Sequence, residues 1–318
     1  MAVKIGSGKF TYEVLVDWAN FPKGWSRVDI TDVAVDSKDR VYLLTRGEFP
    51  LVIFDRDGNF LSSWGKGIFT RPHGLIIGSD DALYITDDGN HTVRKFTLEG
   101  KLLMTIGTLG QPSPFQSGLP FNGPTKVALD RRTADIYVSD GYGNSSVHKF
   151  SPDGKHLLSW GEPGTDPNQF NVVHSVCTDT DGHVYVADRE NHRIQIFDSK
   201  GNYVTQWNNI HRPTGFYLSA EGKGVCYVGE LPPSLYVNKT FPNLGARVSI
   251  YDLKGERLAR LGDIRPGEEP NQFWAPHGIA RDSRGDLYVA EVSYSVVGRF
   301  MEPPRQLRSF RKLVKVAQ

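Results

Sequence analysis

The sequence predicts an all-β protein, a six-bladed β-propeller, on three observations. A unit of about 40–50 residues recurs six times along the chain; each copy carries four short runs of alternating apolar residues; and Asp-, Gly- and Asn-rich turns separate the runs. The copies start near residues 28, 71, 123, 172, 212 and 275. The clearest extends from His174 to Trp207 and contains VYVADRENHRIQIF. Others extend from Thr31 to Gly65, His73 to Gly107 and Thr125 to Gly161. The fifth, Thr214 to Gly262, is longer around Leu231–Leu244, and the sixth begins at His277, with its third strand expected to end at Val296–Phe300.

An orphan strand at Lys9–Trp18 is expected to close the ring by joining blade six, with the tail Gln306–Val316 competing for that role. No linker divides the chain, so residues 1–318 read as one propeller domain.

Composition narrows the function classes. With 39% hydrophobic and 23% charged residues the chain suits a soluble globular protein. A net charge of +1 gives no electrostatic reason to expect a nucleic-acid partner or an anionic membrane surface. No apolar run approaches the roughly 18–20 residues that span a bilayer, and the first residues lack the apolar core of a signal peptide. Cys177 and Cys226 each fall in a strand-like run, which predicts buried free thiols. Together these predict a cytoplasmic protein with no obligate protein partner.

Aligning the copies exposes the main functional signal. The second position of each blade's first strand is held by Thr31, His73, Thr125, His174, Thr214 and His277, so Thr and His alternate. First strands are innermost in a propeller, and alternate blades are related by roughly threefold symmetry, so three imidazoles are expected to converge. Three neutral imidazoles with an open fourth position suit a catalytic zinc ion or another divalent transition metal. A lone histidine would more simply be a hydrogen-bonded core residue; the alternation is what favours a metal. His91, His148, His156, His183, His192 and His211 share no such register.

The loop after each second strand is expected at the same channel mouth. It holds Thr45-Arg46-Gly47, Asp87-Asp88-Gly89, Asp140-Gly141-Tyr142, Asp188-Arg189-Glu190 and Glu291. Arginines there suit a carboxylate-bearing small molecule, and a tyrosine is a candidate general base. The competing reading is structural, with the acids capping turns and the arginines pairing with them.

The run PHGL…FNGPTKVAL…DGYGNS…KFSPDGK…SWGEPG…QFNVVHSV…VADRENHRIQIF, with APHGI around His277, closely resembles the catalytic core of peptidyl-α-hydroxyglycine α-amidating lyase, built on NHL-type repeats. The resemblance is strong from Pro72 to Phe197 and weak across blade five. It implies zinc ligands at His73, His174 and His277, a catalytic base at Tyr142 with Arg46 as its paired arginine, and a further active-site arginine at Arg189. The implied reaction cleaves an N-acyl α-hydroxyglycine to an amide and glyoxylate. The family's disulfide positions fall at Asn122, Gly143, Tyr185 and Ile196, so none is retained. The methionine before the last Pro-His is Ala275, and the acid that binds the family's structural calcium is Gly278. Asp32 could supply that charge, with Leu75 as a second calcium position. No hydroxylating monooxygenase domain accompanies the repeats, so a neuropeptide is not the expected substrate. A metal hydrolase of the same fold and a non-catalytic NHL binding module are the alternatives.

Overall fold

The computed structural model describes residues 2–219 and 224–317. It is a six-bladed β-propeller whose blades are antiparallel sheets, four-stranded in blades one to five and five-stranded in blade six. The chain divides into two compact units, one formed by Met1–Lys66 with Lys223–Gln318 and the other by Gly67–Gly222.

The Gly67–Gly222 unit contains three whole blades. Blade two is Pro72–Ile77, Leu83–Asp87, Thr92–Phe96 and Leu102–Ile106. Blade three is Pro124–Leu129, Ile136–Asp140, Ser146–Phe150 and His156–Trp160. Blade four is Val173–Thr178, Val184–Asp188, Arg193–Phe197 and Tyr203–Trp207. Pro213–Ser219, the first strand of blade five, also belongs to this unit.

The other unit holds blade one (Ile30–Val35, Val41–Thr45, Leu51–Phe54, Phe60–Trp64) and the strands Val225–Glu230, Arg247–Asp252 and Arg257–Leu261 of blade five. It also holds blade six, where both chain ends meet. Phe310–Lys315 pairs with Leu287–Glu291, and Tyr12–Leu15 pairs with Phe310–Lys315, leaving Lys4–Ile5 at the edge. The two terminal segments are therefore complementary. The tail supplies the third strand and the N-terminal segment the fourth. The expected third strand at Val296–Phe300 is instead a helical turn, Ser293–Val296, followed by a 3-10 turn, Gly298–Phe300. Ser293 Oγ donates to the carbonyl of Arg308 and turns the chain away from the ladder.

Strand composition follows position. Second strands are buried along their length, so Val41–Thr45, Leu83–Asp87 and Val184–Asp188 read as continuous apolar runs closed by a polar residue. Fourth strands such as Phe60–Trp64 are largely exposed and carry polar residues. Between blades two and three, Phe121 is fully buried against Val127, Val138 and Phe150, a burial worth ~1.5–3 kcal/mol. Cys226 is buried, whereas Cys177 is only half-buried; both are free. Among the described residues no helix is long and apolar enough to cross a membrane.

An acid at the end of the second strand recurs as a structural node. Asp87 accepts the backbone N–H groups of Thr70 (2.9 Å) and Arg71 (2.8 Å) and pairs with Arg94 at 2.9 Å. Asp140 accepts the N–H of Asn122 and lies 3.2 Å from His148 Nε2. Asp188 accepts the N–H of Asn171 and pairs with Arg193 at 2.7 Å. Glu291 accepts the N–H groups of Trp274 (2.7 Å) and Ala275 (3.0 Å) and pairs with Arg311 at 2.8 Å. All four carboxylates are fully buried, so each depends on its cationic or imidazole partner and its amides.

Removing one partner of such a pair strands a buried charge. Arg311→Met is expected to lower unfolding free energy by about 3–5 kcal/mol in chemical denaturation, and adding Glu291→Gln should recover part of the loss. A loss under about 1 kcal/mol for Arg311→Met would show that the pair does not anchor the blade.

Candidate metal centre and its mouth

In blades two, three and six the register position of the first strand points to a backbone carbonyl of the following blade. His73 Nδ1 lies 2.7 Å from the carbonyl oxygen of Thr125, and Thr125 Oγ1 donates to that of Val173 at 3.0 Å. In the other unit His277 Nδ1 lies 2.6 Å from the carbonyl oxygen of Thr31. A carbonyl only accepts, so the proton of neutral His73 and of neutral His277 resides on Nδ1. Each Nε2 is then left with its lone pair, the tautomer a metal ligand requires, and the carbonyl contact fixes the ring. The imidazoles therefore fit a divalent transition metal. His73, His174 and His277 are all buried and together form a set that could hold a metal ion.

Within the Gly67–Gly222 unit, Tyr142 completes the arrangement around two of them. Its hydroxyl lies 2.9 Å from His73 Nε2 and 3.0 Å from His174 Nε2. The His73 and His174 rings are 5.0 Å apart between centres, and the Tyr142 ring stands edge-on to His73 at 5.1 Å. A phenol oxygen thus occupies the gap between two imidazole nitrogens while its ring remains partly solvent-exposed. The loop reaches this position because residue 141 is glycine: a Cβ there would overlap the backbone of Val173, immediately before His174.

Charged groups surround this tyrosine. The guanidinium carbons of Arg71 and Arg189 lie 5.5 and 5.8 Å from the Tyr142 ring centre. Arg189 Nε donates to Glu190 at 2.7 Å, and Arg212 reaches the same carboxylate at 3.0 Å. Burial alone would raise the Glu190 carboxyl, but the Arg212 hydrogen bond and the charges of Arg189 and Arg212 outweigh it and hold it below the ordinary range.

Arg46 belongs to the other unit. Its Nη1 makes long contacts to Asp29 (3.4 Å) and Ser295 (3.3 Å), while its buried Nε has no hydrogen-bond partner among the described residues. Asp29 also accepts the N–H groups of Tyr294 and Ser295, so it is held independently of Arg46. An arginine held this loosely retains donors for a ligand. Ala275 is buried beside Leu231 and Val292, with Val296 packed against them, so neighbouring side chains surround this position.

The calcium positions are filled differently. The Leu75 carbonyl accepts a hydrogen bond from Lys126 Nζ at 2.9 Å, placing an ammonium where a calcium ion would draw on that oxygen. Gly278 provides no carboxylate, and a Cβ on it would overlap Asp32 Oδ1. Asp32 thus fills the space that a side chain at position 278 would take. With the Lys126 ammonium on the Leu75 carbonyl, calcium fits Leu75 poorly. The sequence contained Lys126 and Arg71 in plain view, each next to a register residue or to the Pro preceding one, but their direction was not legible.

Raising free calcium to about 1 mM should therefore leave the thermal midpoint within about 1 °C of its calcium-free value. A rise of several degrees would demonstrate calcium binding to the folded state.

The NHL repeat family matches residues 69–96 and 170–197. NHL repeat-containing protein 3 of Homo sapiens is 37% identical, over 97% of this chain and 89% of its own length. Peptidyl-alpha-hydroxyglycine alpha-amidating lyase 1 of Drosophila melanogaster is 32% identical over 77% of this chain, an alignment that spans 47% of that relative. Among solved structures, streptogramin B lyase superposes with a TM-score of 0.59 at 13% identity, covering 91% of this chain and 94% of the other, a likeness of fold alone. The chain belongs to the NHL-repeat β-propeller family that includes NHL repeat-containing protein 3 and the peptidyl-α-hydroxyglycine α-amidating lyases.

Proposed function

We propose that this protein is a metal-dependent lyase that cleaves the C–N bond of an α-hydroxyglycine-type carbinolamide, giving an amide and glyoxylate. The observation that carries this reading is the Tyr142 hydroxyl held between His73 Nε2 and His174 Nε2. His73, His174 and His277 are the ligands of the proposed ion. When bound, a divalent transition metal supplies a Lewis acid that stabilises charge developing on a substrate oxygen.

The chain's own groups account for the remaining steps. Arg46 and Arg189 take the substrate carboxylate, Arg189 through its Nη atoms. The Tyr142 oxygen is the atom placed to receive the substrate's hydroxyl proton. As that proton leaves, the C–O bond becomes a carbonyl, the C–N electron pair departs with the amide nitrogen, and the Tyr142 oxygen returns the proton to that nitrogen. Water is not consumed. The substrate is a small carboxylate-bearing molecule, and no nucleic acid, membrane or obligate protein partner is part of the proposal.

Two variants test it. Wild-type protein should hold about one transition-metal ion per chain and release glyoxylate from α-hydroxyhippurate. His174→Ala should lose the metal and at least about a hundredfold in turnover. Tyr142→Phe should keep the metal and lose about 10²–10⁴-fold in kcat. Metal-free wild-type protein that takes up no zinc, or a Tyr142→Phe variant with unchanged kcat, would contradict the proposal and favour a binding module.

A further inference from the structure

Arg71 stands directly before Pro72-His73 and is built into the mouth as firmly as Arg189. Its backbone N–H is fixed by Asp87 at 2.8 Å, and its Nη1 donates to Asp88 at 2.6 Å. The Asp88 side chain is 1% exposed while that of Arg71 is 50% exposed, so a buried anion orients a cation that faces solvent. A guanidinium has five donors in a planar fork, and one contact to Asp88 leaves an edge available. Arg189 likewise uses Nε on Glu190, and its Nη atoms bond no other described residue. Both guanidiniums lie within 6 Å of the same Tyr142 ring centre.

Arg71 pairs with Asp88, and Arg189 and Arg212 share the carboxylate of Glu190. A pair between Arg71 and Asp88 on an open surface would have no need of a buried acid. Two open guanidinium edges beside one tyrosine ring suit a single carboxylate.

We propose that Arg71 is a second carboxylate-binding residue on this side of the mouth, sharing the substrate's carboxylate with Arg189 at the Tyr142 ring. The inference rests on the lyase reading, because the carboxylate in question is that of the glycine-derived half of the substrate. Arg71 selects the anionic form of that half and holds it beside the Tyr142 oxygen. It takes no part in bond cleavage.

The test is equilibrium binding of hippurate and of its uncharged analogue hippuramide to metal-loaded protein, by calorimetry. Arg71→Ala should weaken hippurate binding about tenfold to a hundredfold, leave hippuramide within about twofold, and leave metal content unchanged. Arg71→Lys keeps a charge opposite buried Asp88, so the fold is protected; it should recover part of the affinity without the bidentate fork. Hippurate affinity unchanged in both variants, in a wild-type background that releases glyoxylate from α-hydroxyhippurate, would overturn the role of Arg71 alone. Wild-type protein that neither releases glyoxylate nor binds hippurate would overturn the lyase reading and this inference with it.

Discussion

The buried acid at the end of the second strand is the interaction on which the mouth of this propeller depends. In blades two, three, four and six it ties the chain just before the first strand to a partner on the third strand. An unpaired carboxylate at these depths would cost several kcal/mol, so the amides and the cation or imidazole must all be in place. That framework positions the residues of the candidate centre. Asp87 fixes the chain entering Pro72-His73, and Glu291 fixes the chain entering Pro276-His277. Blade one has Thr45 at the corresponding place, bonded to the carbonyl of Phe49, and its loop instead projects Arg46.

Alternation of Thr and His at one register position follows from the same framework. Both side chains reach a carbonyl of the next blade, Thr125 through its hydroxyl and His73 through Nδ1. Threonine is consumed by that contact. Histidine has a second nitrogen, and the contact leaves its lone pair directed away from the strand. His73 and His277 are therefore structural residues on one side, and on the other keep a nitrogen that could hold a metal ion.

Much of this was legible because it repeats. The period, the turns and the polar residue closing each second strand are properties of spacing, and a repeat multiplies a weak local signal. The structural reading of the loop acids holds for Asp87, Asp140 and Asp188, and Arg46 keeps an unpartnered nitrogen among the described residues. What escaped depends on direction in space. Whether Phe310–Lys315 or Val296–Phe300 supplies the third strand of blade six is settled by tertiary pairing, since both are short stretches that mix apolar and basic residues. Lys126 adjoins Thr125, but only its side-chain path shows that its ammonium caps the Leu75 carbonyl. Arg71 reads in sequence as a surface charge, and its place over Tyr142 follows from the buried carboxylate of Asp88.

The central claim is that three imidazole nitrogens hold one metal ion beside a phenol. X-ray absorption spectroscopy of the zinc-loaded protein tests it most directly. The expected spectrum has three imidazole nitrogens and one further light atom at about 2.0–2.1 Å. A first shell dominated by carboxylate or water oxygens, or one unchanged when His73, His174 and His277 are all replaced by alanine, would contradict it.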